Sequence, residues 1–361
     1  MLRFHWMLPK GGEAGGGAVD RGAKTVARER SEGGLPDLAA RGEFCRRAEE
    51  CGIDSVLLSF GWYEPDPLLL AAALGLATSR LRFIVAYRSG LLVPTSFVQQ
   101  VNTLSTLIGG RVALNVVAGH SPEEQQYYGD FLSHDERYAR TDEFLAVCRA
   151  FWRGGPVDFD GRFYRLAGGR LNTPFLAPDA DSPEIYVGGH SAAARDLAVK
   201  HATCWLSMGG APDALAPRLR PVLERGTAVG LRMGVIVRPS REEAVAAAAA
   251  LIADPALKRK EISFVDGSDS VSIRTTLAAA AAADWPAPAV WTGAVPYFGA
   301  PCVSLVGSPR EVAGTILDFA RIGVSQFIFH GWPKLDEMLR FGRDVVPLIR
   351  RAEAAGTRAA G

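Results

Sequence analysis

Short apolar runs bounded by turn residues recur along the chain, and stretches with helical spacing separate them. The run Val112–Val117 is typical, because Asn115 is its one polar member and glycines lie on both sides of it. Such a run predicts a parallel strand that is covered on both faces. Comparable runs lie at residues 2–8, 55–59, 81–87, 184–187, 203–207, 232–237 and 326–330, with a further short one at 303–306.

Helical patterns fill the segments between these strands. Residues 140–152, for example, place Phe144, Val147, Cys148 and Phe151 along one helical face. Eight principal strands that alternate with helices predict an α/β fold in which a parallel sheet closes into a (β/α)8 TIM barrel. An open, doubly wound sheet is the alternative architecture.

Three segments exceed what a minimal barrel needs. Residues 157–164 alternate around an Asp-Gly pair, which predicts a hairpin. A glycine-rich polar stretch covers residues 11–34, and residues 258–300 mix charges, glycines, prolines and aromatic side chains. Such long insertions are often functional loops, so we predict that both are mobile covers. No repeat or linker divides the chain, and we expect a single domain over residues 1–361.

Composition excludes several classes of protein. The 40 basic and 39 acidic residues leave a net charge of +1, so no global field attracts nucleic acid or an acidic membrane. No apolar run reaches the ~18 residues of a membrane span, and the amino terminus lacks a signal-peptide pattern. Five scattered cysteines without a CxxC pair indicate a reducing compartment, so we expect a cytoplasmic protein.

Common catalytic motifs are missing from the sequence. No G-x-G-x-x-G joins a strand to a helix, and neither a Walker-type phosphate loop nor a G-x-S-x-G elbow occurs. The six histidines show no metal-ligand spacing, so we expect no metal site.

Polar and aromatic residues gather at or just beyond the predicted strand ends, which is where barrel enzymes place their active sites. This set comprises His5, Ser59, Glu64, Arg88, Asn115, His120, His190, Ser191, Arg232, His330 and Trp332. Each has an alternative interpretation as a structural residue. His5 fits a buried core histidine, Arg88 an ion pair, Trp332 simple packing and Glu64 a solvated loop carboxylate.

The segment Gly188-Gly189-His190-Ser191 lies between a strand and a helix, and it offers backbone N–H groups and a hydroxyl at a helix start. These are the ingredients of an anion site. Tyr138 adds a phenolic donor. A plain N-cap is the alternative role for Ser191.

Several motifs together resemble the bacterial-luciferase-like family of flavin-dependent monooxygenases, and within it the alkanesulfonate monooxygenase branch. The motifs, in chain order, are FHWMLP, SRLRFIVAYRSGLLVPT, NVVAG, DERY, VDFDGRFY, IYVGGHS, GLRMGVIVRPSREEA, LVGSPREVA and FIFHGWPKLDEMLRFG. The resemblance implies a luciferase-like barrel that uses FMNH2 from a separate NAD(P)H-dependent flavin reductase. It further implies reaction of that flavin with O2 to a flavin peroxide, and a homodimer or homotetramer.

The resemblance also implies positions for the cofactor. Tyr138 and Ser191 match contacts to the FMN phosphate, assisted by the backbone of Gly189 and His190. Residues matched to the isoalloxazine ring or its edge are Ser59, Asn115, Ala118, Gly119 and the adjacent His120.

The substrate side departs from the sulfonate enzymes. Gly11, Glu64, Gly234, Phe298 and Trp332 stand where that branch has histidine, cysteine, histidine, arginine and tyrosine, whereas Arg232 is retained. A sulfonate needs several donors to replace its hydration, so we expect a small, partly apolar or aromatic substrate instead.

The candidate catalytic residues follow from these departures. Arg232 is expected to stabilise the peroxide or an anionic substrate group, and Glu64 is the candidate base. His5, His330 and Trp332 are expected on the substrate side. The predicted function is a two-component FMNH2-dependent monooxygenase that inserts one oxygen atom. The alternatives are an alkanesulfonate-desulfonating enzyme, a deazaflavin-dependent oxidoreductase and a non-catalytic flavin-binding protein.

Overall fold

The computed structural model describes residues 1–9, 38–62, 64–119, 121–253 and 270–360. The strands are β1 (Arg3–Met7), β2 (Ser55–Leu58), β3 (Arg82–Arg88), β4 (Val112–Val117), β5 (Val157–Asp160), β6 (Arg165–Gly169), β7 (Glu184–Gly188), β8 (Cys204–Met208), β9 (Ala228–Val237), β10 (Val290–Trp291), β11 (Ser304–Gly307) and β12 (Val324–His330).

The helices surround these strands. They are α1 (Leu38–Glu50), α2 (Pro67–Leu76), α3 (Pro94–Leu107), α4 (Pro122–Tyr127), α5 (His134–Arg153), α6 (Ala192–His201), α7 (Pro212–Leu223), α8 (Arg241–Ile252), α9 (Val271–Ala282), α10 (Val295–Phe298), α11 (Pro309–Arg321), α12 (Lys334–Arg340) and α13 (Val346–Ala360). No helix in these described ranges is long and apolar enough to cross a membrane.

Eight parallel strands close into a barrel in the order β1-β2-β3-β4-β7-β8-β9-β12, and β12 pairs with β1. The predicted TIM barrel is confirmed. Side chains alternate between two surroundings. Outward residues such as Phe4, Trp6 and Phe329 pack against the helical layer, where Phe341 lies between them. Inward residues fill the barrel, so a polar inward side chain must find a partner inside it or at one of its ends.

Strand β9 begins at Ala228, earlier than the pattern predicts, and pairs with two different strands along one edge. Its first half pairs with β8, and its second half pairs with β11. Strand β10 continues this extension antiparallel to β11. The sequence predicted neither β10 nor α10, because aromatic, glycine and proline residues obscure the periodicity there. Residues 270–300 are thus largely regular. The mobility predicted for 258–300 is untested, and residues 258–269 and the whole 11–34 loop lie outside the described residues.

The predicted hairpin is confirmed as β5 and β6, which pair antiparallel across the Asp160-Gly161 turn region. The predicted helix at residues 140–152 is part of α5. That helix starts earlier because Ser133 and Glu136 form a capping box at its amino terminus.

Candidate active site

The amino-terminal end of the barrel interior is polar, and its groups pair with one another. His5 Nε2 donates to Gln326 Oε1 at 3.0 Å, and His5 Nδ1 accepts from Ser55 Oγ at 2.5 Å. Tyr186 Oη donates to the same Gln326 oxygen at 2.8 Å. Burial, as the main cause, lowers the pKa of His5 to about 3, so the imidazole is neutral. The structure therefore places His5 in the middle of β1 among core groups, and not at a strand end as the sequence suggested.

Ion pairs complete this end. Glu184 accepts from Arg3 Nη1 at 2.8 Å and lies 3.3 Å from Arg82 Nη1. A cleft of about 390 Å³ opens beside them, and its lining includes Asp54 and Tyr186. It lies at the amino ends of the strands, opposite the end where barrel enzymes carry out chemistry. We therefore interpret this cleft as a solvent-filled feature of the structural end.

An apolar layer separates the two ends of the barrel. It is formed by the inward side chains Met7, Leu57, Ile84, Ala113, Cys204, Leu206 and Ile328. Above this layer the character of the interior changes.

At the carboxyl end, the buried residues whose polar atoms lack a hydrogen-bond partner among the described residues include three on or after the neighbouring strands β3 and β4. They are Asn115 at Oδ1, Gln125 at Oε1, and Arg88 at both Nε and Nη1. Asn115 points inward from β4, Arg88 lies at the end of neighbouring β3, and Gln125 lies on α4 after β4. Nearly all buried polar groups in folded proteins have a partner, so such a cluster indicates a place where a ligand supplies the missing bonds.

Arg88 is held firmly even though two of its nitrogens are unsatisfied. Its Nη2 lies 3.2 Å from Glu124 Oε1, and its guanidinium lies 4.9 Å from the Phe60 ring and 5.4 Å from the Tyr128 ring. The ion pair that the sequence left open for Arg88 is thus present. Arg88 was among the strand-end candidates that the sequence offered, but neither Arg88 nor Gln125 was assigned a role toward the cofactor or the substrate.

The turn after β4 brings the backbone close to α4. Gly119 has φ +87°, and a Cβ added there would lie 1.4 Å from Gln125 Nε2. Arg137 Nε donates to the Ala118 carbonyl at 3.1 Å and so fixes this turn. Only glycine permits this approach. His120, which follows directly, lies outside the described residues.

The predicted phosphate-binding residues come together at the start of α6. Ser191 caps this helix, since its Oγ accepts from Ala194 N at 3.1 Å and its hydroxyl proton remains free to be donated. Gly189 has φ +132°, and a Cβ added there would lie 3.1 Å from Tyr138 Oη and 2.6 Å from Ala194 Cβ. Tyr138, Gly189 and Ser191 therefore come together at a helix amino terminus, an arrangement that suits an anion.

The His190 side chain points away from Tyr138 and Ser191, toward residues of β8 and α9. Its Nε2 lies 2.9 Å from Ser207 Oγ and accepts from Met208 N at 3.3 Å, while Nδ1 faces Thr275 Oγ1 at 3.3 Å. Burial first, and then the charges of Arg218 and Arg195, lower the pKa of His190 to about 4. Its side chain supports the loop, which leaves only its backbone for a ligand.

Glu64 is half-buried and accepts a hydrogen bond from Ser59 Oγ at 2.7 Å. The carboxylate therefore turns toward the end of β2. This geometry excludes the alternative of a fully solvated loop carboxylate and keeps Ser59 and Glu64 together at the barrel mouth.

Two further candidates, Arg232 and His330, lie on the adjacent strands β9 and β12. Arg232 points inward from β9, with Nη2 3.0 Å from Met7 Sδ. His330 ends β12, and its Nε2 lies 3.5 Å from Cys302 Sγ. Burial, followed by the charges of Arg232 and Lys334, holds the pKa of His330 well below its usual value. A neutral imidazole beside a thiol and a guanidinium results; Cys302 was not selected from the sequence.

Trp332 fills the space that Gly234 leaves open. A Cβ added to Gly234 would lie 3.0 Å from the indole and 2.2 Å from Ser304 Oγ. The indole also meets His330 edge-on at 4.8 Å and lies 5.5 Å from the Phe298 ring. Three of the positions that depart from the sulfonate pattern thus form one aromatic wall.

A model of the luciferase-like monooxygenase family matches residues 3–326. The chain belongs to the luciferase-like monooxygenase family. The resemblance seen in the sequence is confirmed at this level, while its alkanesulfonate branch remains a prediction.

Solved structures with the same barrel extend the comparison. This luciferase-like chain is similar to the riboflavin lyase RcaE, bound to modified FMN and riboflavin, with a TM-score of 0.75, 18% identity, and coverage of 98% of this chain and 92% of that chain. The chain is also similar to the long-chain alkane monooxygenase LadA, with a TM-score of 0.75, 20% identity, and coverage of 98% of this chain and 92% of that chain. A third similar structure is an F420-dependent secondary alcohol dehydrogenase with an F420-acetone adduct. Its TM-score is 0.65 at 18% identity, and the match covers 96% of this chain and 99% of that chain. At these identities the likeness supports the fold alone.

Proposed function

We propose that the protein is a two-component monooxygenase that uses reduced FMN to transfer one oxygen atom from O2 to a small, partly apolar or aromatic molecule. The observation that carries this proposal is the meeting of Tyr138, Gly189 and Ser191 at the amino terminus of α6, with the unsatisfied Oδ1 of Asn115 at the same end of the barrel. A ligand with a phosphate and a polar ring satisfies both.

The residues present fit FMN. Ser191, Tyr138 and the α6 amino terminus would hold the phosphate, and Asn115 with the Ala118-Gly119 turn would border the ring. Gly119 and Gly189 allow the close approach of Gln125 and of Ala194 with Tyr138, because neither glycine has a side chain. When bound, reduced FMN supplies the electrons that activate O2.

The protein's own part is to orient the substrate and exclude water. Trp332 and Phe298 offer an aromatic wall, and Arg232 supplies a positive charge beside it. His330 is neutral near pH 7, so it can accept or donate a hydrogen bond but adds no second charge. Glu64, hydrogen-bonded to Ser59 in the segment after β2, is the candidate base.

This wall is the basis for choosing an apolar substrate over an alkanesulfonate. With Arg232 as the retained cation and aromatic rings at neighbouring positions, a sulfonate would lose more hydration than the wall replaces. The desulfonating reaction is therefore the alternative, together with a barrel that binds flavin without catalysis.

A labelling experiment tests the proposal. The protein, FMN, NAD(P)H and a generic flavin reductase are incubated under ¹⁸O2 with aromatic, alkyl and alkanesulfonate compounds. We expect one ¹⁸O atom in an apolar or aromatic product by mass spectrometry, and none without reductase. Release of sulfite from the sulfonates would favour desulfonation. Absence of label from every product, with flavin bound, would favour the non-catalytic alternative.

A deazaflavin-dependent hydride transfer is the second candidate, since the same barrel occurs in an F420-dependent alcohol dehydrogenase. Anaerobic titration with reduced FMN and with reduced deazaflavin separates the two. Tight binding of deazaflavin alone would contradict our choice. We further propose a separate reductase partner, a homodimer or homotetramer, and a cytoplasmic location; pull-down with candidate reductases and light scattering test the first two.

A further inference from the structure

Arg88 combines features that a purely structural arginine lacks. Its side chain is 3% exposed, it lies at the carboxyl end of β3, and its Nε and Nη1 have no partner among the described residues. Leaving buried N–H donors unsatisfied costs about 1–3 kcal/mol for each group, and more for a charged one. Such a cost is typical of a group that bonds to a ligand.

The neighbours of Arg88 fix the position of its guanidinium. Glu124 pairs with Nη2, and the rings of Phe60 and Tyr128 lie close to the guanidinium. One carboxylate cannot satisfy five N–H donors, so donors remain for a second acceptor. These contacts determine the place of the guanidinium before any ligand arrives.

The nearby acceptors complement these donors. Asn115, on the adjacent strand in register with Ala86, holds a buried oxygen without a partner, and so does Gln125. Donors at Arg88 and acceptors at Asn115 and Gln125 match a ring edge that alternates carbonyl oxygens with N–H. The pyrimidine portion of a flavin has such an edge, and it carries the negative charge of the reduced form.

We propose that Arg88 is a positioning residue that binds the pyrimidine portion of the flavin and favours its reduced, anionic form over the neutral oxidised form. This inference rests on the proposed function. A cation near this part of the ring stabilises the anion by direct attraction, which is strengthened because the site is buried. Asn115 and Gln125 provide the neutral hydrogen bonds, which both redox states share.

The test measures binding of oxidised and reduced FMN separately, by anaerobic fluorescence titration. For Arg88→Gln, we expect the Kd of reduced FMN to rise about tenfold more than that of oxidised FMN. This ratio equals a fall of about 30 mV in the midpoint potential of bound FMN for a two-electron couple. Arg88→Lys keeps the charge and should recover most of the ratio.

Two further variants serve as controls. Arg82→Gln removes an inward arginine, also paired with a glutamate, from the opposite end of the same strand, and should leave both Kd values unchanged. Glu124→Gln removes the carboxylate but keeps the cation, so the reduced form should bind more tightly relative to the oxidised form. The opposite directions at Arg88 and Glu124 distinguish charge from a folding defect.

The outcomes separate the inference from the proposed function. Equal weakening of both redox forms in Arg88→Gln, or the same direction of change in Glu124→Gln, would overturn the inference while FMN binding stands. If the unmodified protein binds neither form of FMN, the proposed function fails and the inference with it.

Discussion

The two ends of the barrel contain similar side chains in opposite states. At the amino-terminal end, His5, Gln326 and Tyr186 bond to one another, and Glu184 pairs with two arginines. At the carboxyl end, Arg88 and Asn115 keep polar atoms that nothing in the described chain satisfies. The number of polar groups does not separate a structural end from a functional one; the bonds left unmade do.

Two buried histidines, His5 and His330, show the same contrast between the two ends. His5 is buried among partners at the amino-terminal end, while His330 is buried at the mouth beside Arg232 and Trp332. Both have lowered pKa values because burial disfavours the charged ring. Of the two, only His330 lies at the mouth, where we propose that the substrate binds.

The largest expected effect comes from a matched pair of glycines at the two ends. Gly189 and Gly226 both have positive φ, but a Cβ meets Ala194 and Tyr138 at the first and open space at the second. Gly189→Val should weaken FMN binding by about 2 kcal/mol, or roughly 30-fold, through strain and obstruction. Gly226→Val should lower the melting temperature about as much as Gly189→Val does, because both positions have positive φ. It should leave FMN affinity unchanged. Equal FMN affinities in the two variants would contradict the predicted difference between the two ends of the barrel.

A second prediction uses the amino-terminal end alone. The folded pKa of His5 is about 3 and the unfolded value is about 6.5, so the unfolded chain binds the extra proton between these values. The contribution of His5 to stability is therefore complete above about pH 6.5 and is lost as the pH falls toward 3, by about 1 kcal/mol per pH unit. Urea unfolding of His5→Gln between pH 7 and pH 5 should show a correspondingly shallower loss. An unchanged slope would contradict the assignment.

The smallest expected effect concerns the ion pair at the same end. Glu184→Gln removes the partner of Arg3 and Arg82, which are each about one-third exposed. Because water screens these charges, we expect a loss of only about 0.5–1 kcal/mol in the free energy of unfolding. FMN affinity should not change. A large loss of FMN affinity would show that the two ends are coupled.

The barrel was predictable because its strands are separate apolar runs, each followed by a helical pattern. The short strand predicted at residues 303–306 corresponds to β11, whereas β10 was not predicted, because a two-residue strand has no periodicity to detect. His5 was grouped with the strand-end residues although the predicted strand at residues 2–8 already placed it mid-strand, and its partners Ser55 and Gln326 come from distant segments that no local pattern reveals. The partners of Arg88 were hidden because Glu124, Phe60 and Tyr128 come from three different segments.

The residues that we propose for the cofactor were more predictable than those that we propose for the substrate. Tyr138, Gly189 and Ser191 belong to contiguous motifs with a known spacing, and the structure brings them together. The wall made by Trp332, Gly234 and Phe298 joins distant segments, and no local pattern reports that an indole occupies the space above a glycine. The sequence could show that each residue had changed, but not that the changes were connected.

The most direct test of the central claim is the structure of the protein crystallised with FMN. We predict that the phosphate lies between Tyr138 and Ser191 and that the ring lies at the carboxyl end, within hydrogen-bond distance of Asn115 and Arg88. Flavin bound in the amino-terminal cleft beside Arg3 and Glu184, or a ring that leaves Asn115 and Arg88 unsatisfied, would contradict the account.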